Sequence, residues 1–336
     1  MRARLAVVAA ILAVAPAALP LAAPSPAVAA AGCLSGLPQV QRVAAGGAAL
    51  TGSTPVLFVH GINSSPGVWG PTSPGSVSRQ AAAIRGVTAW TYDYAQQSLD
   101  WVNTQQIGPD LATAITCLAA VTGHKVVIVG DSTGGLAAEY ALGQDHGQVT
   151  ADTAEVITIG TPYVGSVLLG YLQELMPGDE AVKTAGGSVE EAAFAEALLS
   201  ACAGMTTSQL DTSPCWLVSV TRSPAGKALE GYSVHIAALP RWPAGVRVID
   251  IAGDIELRIG AGRVSFSKNF GDVAVPLASE TAYYTLGPPL IRYCTAGRTL
   301  LDLISDPGPC FYTSLPYDPV IVAAVLAAIR SSVTPP

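Results

Sequence analysis

Charge is what this sequence is shortest of. Asp, Glu, Lys and Arg make up 12% of its 336 residues, and 50% are hydrophobic. So little charge on so apolar a chain excludes a disordered protein. The length is ample for one large α/β domain with its own core. Basic residues are scarcer still, 17 against 24 acidic, for a formal net charge of −7. An acidic chain of this kind has no electrostatic footprint for DNA or RNA, so no nucleic-acid partner is expected. There is no CxxC pair, no cysteine–histidine cluster and nothing like a calcium loop, so neither a metal nor a cofactor is expected. Internal repeats and a seven-residue periodicity are both missing, which excludes solenoids and coiled coils. No uninterrupted apolar run reaches the roughly 18 residues that span a bilayer. Histidine occurs four times, at His60, His124, His146 and His235.

The N-terminus reads as a secretory signal peptide. Arg2 and Arg4 precede an apolar stretch from Leu5 to Val14, and a Pro/Ala-rich region follows. Cleavage after Ala29 or Ala31 would remove residues 1–31 and leave a secreted domain over 32–330 with no transmembrane segment. Loss of Arg2 and Arg4 takes the balance to 15 basic against 24 acidic residues, a net of −9. Ala31-Gly32-Cys33 faintly resembles a lipoprotein box, although Ala30 suits one poorly. A lipid on Cys33 is the minor alternative. Six cysteines point to an oxidising destination. Sequence cannot fix their connectivity. The expected pairing is Cys33–Cys117, Cys202–Cys215 and Cys294–Cys310, of which the last two close short local loops.

Along the chain, short buried-strand candidates alternate with helical patterns. Strands are expected at Val56–Val59, at 87–94, at 126–129, over EVITIG (155–160) and over VRVIDIAGD (246–254). Leu111, Ile115 and Leu118 have helical spacing, with Pro109 or Asp110 at the start and Gly123 as a stop. A second helix is expected from about Gly135 to Leu142. Residues 167–230 lack strand signals and carry helical runs, VEEAAFAEALLSACAG among them, so they read as an insertion over the sheet edge. Residues 269–280 read as a loop entering a short helix. The last segment, PYDPVIVAAVLAAIR, reads as a terminal helix, apolar nearly all round and therefore buried. This alternation implies a mostly parallel central sheet with helices on both faces.

Three motifs then stand in a telling order: VLFVHG (56–61), GDSTGG (130–135) and ITIGTPYVGS (157–166). Together they resemble the α/β-hydrolase fold, and within it the secreted bacterial lipase and esterase branch, over about residues 50–325. The resemblance implies a serine carboxylic-ester hydrolase that acts through an acyl-enzyme on Ser132, with a small-molecule ester or lipid as substrate. It makes 167–230 a helical cap. The strand–turn–helix context puts Ser132 on a tight elbow. The backbone N–H of Thr133 and that of Ile62, just after His60-Gly61, would hold the oxyanion. His60 itself reads as structural. Tyr163 stands where relatives commonly carry histidine, with its hydroxyl anchoring a loop near the site.

The acid and the base are harder. Family order is nucleophile, acid, histidine. Asp272, in GDVAVPLAS, resembles the segment that supplies the acid, although the glycine expected after it is missing. Asp254, at the end of VRVIDIAGD, is the competitor, and one of the two acids could cap the loop that holds the other. No histidine follows Asp272. In the stretch PCFYTSLPYDPV (309–320) the histidine position of comparable hydrolases is held by Tyr312. A phenol with a pKa near 10 is a donor at neutral pH, not a base. His124 and His146 fall away from the carboxyl edge of the sheet, which leaves His235 as the only candidate for a migrated base. The alternative is a catalytically decayed α/β-hydrolase that binds lipid or acyl ligands. From its place before the final helix, Tyr312 is expected to point at Ser132.

Overall fold

The computed structural model describes residues 32–43, 49–73, 75–144, 147–176, 189–205, 215–261, 264–282, 289–298 and 308–333. The signal-peptide reading of residues 1–31 and the reading of His146 lie outside them. The sheet contains β1 (Val40–Arg42), β2 (Thr54–Val59), β3 (Val87–Tyr92), β4 (Val126–Asp131), β5 (Thr153–Ile159), β6 (Val248–Ala261), β7 (Val264–Asn269) and β8 (Leu290–Arg298). Its order is β1-β3-β2-β4-β5-β6-β7, with β8 also on β6. The β2, β3, β4, β5, β6 and β8 pairings are parallel, while β1 and β7 run antiparallel to β3 and β6.

Every residue of β2, β3 and β4 is buried. Continuous apolar runs such as Val126–Val129 are what a strand needs when both of its faces are covered. Helices α1 (Val77–Ala82), α2 (Gly108–Thr122) and α3 (Thr133–Gln144) follow β2, β3 and β4 in turn. Helix α2 stops at Gly123, whose φ of 74° is the left-handed conformation a C-cap requires. Two apolar layers result, one under α2 and α3 and the other under α1 and the C-terminal helix.

The insertion is closed at its neck. Ser166 pairs with Glu230, and the Ser166 N–H donates to Leu229 O at 2.7 Å. Between them lie α4 (Val167–Leu175), α5 (Val189–Cys202) and α6 (Trp216–Val220). The terminal helix α7 (Pro319–Ser332) is capped by Asp318, whose carboxylate accepts from the N–H groups of Val320 and Ile321, with Pro319 in the first turn. Contrary to the expectation of all-round burial, α7 buries one stripe, Ile321, Val325, Leu326 and Ile329, and leaves Val320 48% exposed. Alanines fill its outer face, and alanine tolerates water. Strands β1, β7 and β8 carry no strong sequence signal: β1 is three residues long, and β7 and β8 are only partly apolar.

All three expected disulfides are formed, Cys33–Cys117, Cys202–Cys215 and Cys294–Cys310. The last ties β8 to the segment that carries Tyr312. Replacing Cys294 and Cys310 together by serine is expected to cost about 3 kcal/mol. A urea titration reads this as a lower midpoint. An unchanged midpoint would mean that packing alone holds the segment.

Candidate active site

The chain runs outward from β2 to β3 and then returns to lay β4 on the other side of β2. Val59 and Gly130 are register partners across that pair. Order reversal of this kind leaves a crevice at the carboxyl ends of the strands, where open α/β sheets place ligands. His60-Gly61-Ile62 and Asp131-Ser132 therefore leave the sheet side by side.

Ser132 has a φ of 53°, a conformation that only a tightly constrained turn imposes on a non-glycine residue. Its N–H donates to Ile159 O at 2.8 Å, and its carbonyl accepts from the Gly135 N–H at 2.9 Å and from Thr161 Oγ1 at 3.0 Å. The flanking glycines are a steric need. A Cβ on Gly130 would lie 2.7 Å from Gly135 N, and one on Gly61 would lie 2.9 Å from Ser132 Cβ. The Gly61 contact puts the β2 loop directly against the elbow. Thr133 opens α3, so its N–H is one of the unpaired donors of a helix start.

His60 is buried and neutral. Burial lowers its pKa to about 4. Its Nε2 accepts from the Tyr94 N–H at 3.1 Å, which leaves Nδ1 to donate to Gly61 O at 3.0 Å. Its ring stacks on Tyr94 at 4.0 Å. The Tyr94 hydroxyl donates to His60 O and lies close to the Thr133 side chain. Tyr94, which the sequence did not single out, thus ties the β2 loop to the elbow. Tyr163 turns its hydroxyl to Asp250 Oδ1 at 2.8 Å and Thr158 Oγ1 at 2.9 Å, beneath the loop it anchors.

The Tyr312 hydroxyl lies beside the Ser132 side chain. Burial, and then the Asp131 carboxyl, push its pKa well above the ordinary phenol value. Tyr312 begins a 3-10 turn, Tyr312–Tyr317, and its N–H donates to Asp272 O at 3.1 Å. Its ring stacks on Trp216 of α6 at 5.0 Å. His235 lies elsewhere: it is exposed, with its ring edge-on to Trp101 at 6.3 Å.

The two competing acids have different surroundings. Asp254 does not end its strand, because β6 runs on to Ala261. Its carboxylate accepts from Asn269 Nδ2 at 2.6 Å and from the Gly271 N–H at 3.1 Å, and so clamps the turn just before Asp272. Asp272 is fully buried beside Tyr312, with Oδ1 accepting from the Val275 N–H at 2.7 Å. Its carboxyl also pairs with that of Glu280, whose Oε2 accepts from the Gly253 N–H at 3.0 Å. Two hydrogen-bonded carboxyls must hold a proton between them. Burial raises Asp272 to about 7 and, with the Asp272 charge added, Glu280 well above the carboxylate range. Glu280 had no sequence signal, since an acidic residue ending ASE looks like surface. Among the described residues no three His, Cys, Asp or Glu side chains converge on a metal-sized point, and no described helix is long and apolar enough to cross a membrane.

No described protein family matches the chain in sequence, and no curated protein does so either. Solved structures do resemble it. The mature form of a Bacillus licheniformis lipase aligns over 86% of this chain and 97% of its own, at 16% identity and a TM-score of 0.48. Aspergillus fumigatus lipase B aligns over 87% of this chain but 56% of its own, at 16% identity and a TM-score of 0.48. A thermostable carboxylesterase from a metagenomic library aligns over 92% and 96%, at 13% identity and a TM-score of 0.46. The mostly parallel sheet, its order and the elbow after β4 are those of the α/β-hydrolase fold. At such identities likeness concerns fold, and the chemistry must come from this chain's own residues.

Burial also raises Asp131, to about 8, with the Asp272 charge adding to the effect. A carboxyl whose folded pKa lies above its unfolded value near 4 favours the folded state while protonated. That contribution is complete below about pH 4 and is lost as pH rises through about 8. Asp131→Asn is therefore expected to raise the melting temperature more at pH 8 than at pH 5. Melting curves at the two pH values check this, and an equal or larger gain at pH 5 would contradict it.

Proposed function

We propose that this chain is a lipase/esterase-type α/β-hydrolase scaffold that binds carboxylic-ester or acyl ligands at Ser132 and has lost the proton relay for rapid turnover. The observation that carries this reading is the place of Tyr312, with its hydroxyl beside Ser132 and its N–H on Asp272 O. The phenol sits where an imidazole is needed. Its pKa, raised further by burial, leaves it unable to accept the serine proton near neutrality. Asp272, behind Tyr312, already shares a proton with Glu280 and has no imidazolium to stabilise. His235 is exposed and supplies no substitute. Export fits the three disulfides. In this reading 167–230 is the cap of the site, and Trp216 is the residue by which it touches Tyr312.

A second reading keeps slow serine-ester hydrolysis. It is favoured by the φ of Ser132 and by the close approach of the Gly61 loop, which carries the Ile62 N–H, to the elbow that carries the Thr133 N–H. Oxyanion donors and binding alone retain a residual rate when a triad member is lost.

A fluorophosphonate probe separates the two. Wild type is expected to label faintly at most, and Tyr312→His to hydrolyse a 4-nitrophenyl ester about 100-fold faster than wild type. Adding Ser132→Ala to Tyr312→His is expected to abolish that gain. Strong wild-type labelling that Ser132→Ala removes would overturn the decayed reading in favour of an active esterase.

A further inference from the structure

Asp131, the residue before Ser132, is 6% exposed and lines a cavity of about 460 Å³. Among the described residues no hydrogen-bond donor reaches that carboxyl. The other buried carboxyls around the site each accept from at least one donor: Asp254 from Asn269 and Gly271, Asp272 Oδ1 from Val275 and Glu280 Oε2 from Gly253, while Asp272 Oδ2 and Glu280 Oε1 accept from none among the described residues. No Lys, Arg or His lines the cavity, whose remaining walls are hydroxyl, amide and apolar groups with three aromatic rings. The titratable groups facing Asp131 are Asp272 from the turn after β7, Tyr94 from the loop after β3, and Tyr312 and Tyr317 from the 3-10 turn. None of them is positive in any protonation state. The cavity thus presents one buried carboxyl and no positive side chain among the described residues.

The lining also indicates which cation. A metal ion needs several oxygen or nitrogen ligands at once, and Asp131 is the only Asp, Glu, His or Cys here. Trp216, Tyr312 and Tyr317 surround the same space, with Tyr317 56% exposed at its rim. One carboxylate with aromatic rings is the chemistry that recognises alkylammonium groups. We propose that the cavity holds the alkylammonium end of its ligand, with Asp131 as counterion and the three rings as walls. Ser132 is buried and does not itself line the cavity, so the ester end of such a ligand would point from the cavity toward the elbow. The proposal rests on the reading of Ser132 as an ester-binding site, but its binding step needs no turnover. The raised pKa of Asp131 adds a signature: a cation must displace its proton, so binding strengthens with pH.

Calorimetry on the mature protein with two probes tests this. One is propionylcholine. The other is 3,3-dimethylbutyl propionate, which replaces the quaternary nitrogen by carbon. At about pH 9 wild type is expected to bind the choline ester about tenfold more tightly than its isostere. Asp131→Asn is expected to erase that gap and leave the isostere's affinity unchanged. Lowering wild type to about pH 6 is expected to weaken the choline ester several-fold and leave the isostere unaffected, because neither probe titrates. This pH series stands even if the variant misfolds. Equal affinities at about pH 9, a gap that survives Asp131→Asn, or pH-independent preference for a glycerol monoester would overturn the proposal. Fluorophosphonate labelling fails or succeeds separately, since it reads Ser132 and not Asp131.

Discussion

The close approach of Gly61 to Ser132 is the contact on which the site depends. It exists because β4 lies beside β2 in register, so that the chain leaves both strands at the same height. The elbow alone would be a strand-to-helix turn with a strained serine. With the β2 loop pressed on it, the Thr133 and Ile62 N–H groups lie on facing segments. Tyr94 then locks the two segments together through His60 and Thr133. An added methyl on Gly61 would meet the serine's own Cβ.

The second constraint is electrostatic. Three carboxyls, Asp131, Asp272 and Glu280, are buried within one region that holds no cation among the described residues. In an active hydrolase an imidazolium formed during the reaction would balance part of that charge. Here the group beside Asp131 and Asp272 is Tyr312, which cannot become positive. Asp272 and Glu280 adapt by holding a proton between them. Asp131 has no such neighbour in hydrogen-bond contact, and it is the one that faces open space.

Much of this was legible in the sequence because it rests on local patterns. Continuous apolar runs marked β2 and β4, Gly123 marked the end of α2, and GDSTGG marked the elbow. The short cysteine loops at 202–215 and 294–310 paired as expected. The misses have physical reasons. Strand β6 extends past Asp254 because β7 and β8 pair with it, and strand pairing is non-local. Helix α7 read as buried all round because alanine is counted as apolar, although it sits comfortably on a solvated face. Tyr94 and Glu280 read as ordinary aromatic and acidic residues, since neither touches its site partners through sequence neighbours.

The sequence by itself determined the fold class, the position of the elbow serine and the lack of any histidine after Asp272. Those depend on residue type, spacing and order along the chain. Only the tertiary structure decided that Asp254 clamps the turn while Asp272 lies beside Tyr312. It alone brought Tyr312 beside Ser132, set Asp272 against Glu280 and left Asp131 lining a cavity with no donor on its carboxyl among the described residues. Each of these is a matter of which buried polar groups meet. Burial makes such meetings energetically decisive, and no local pattern records them.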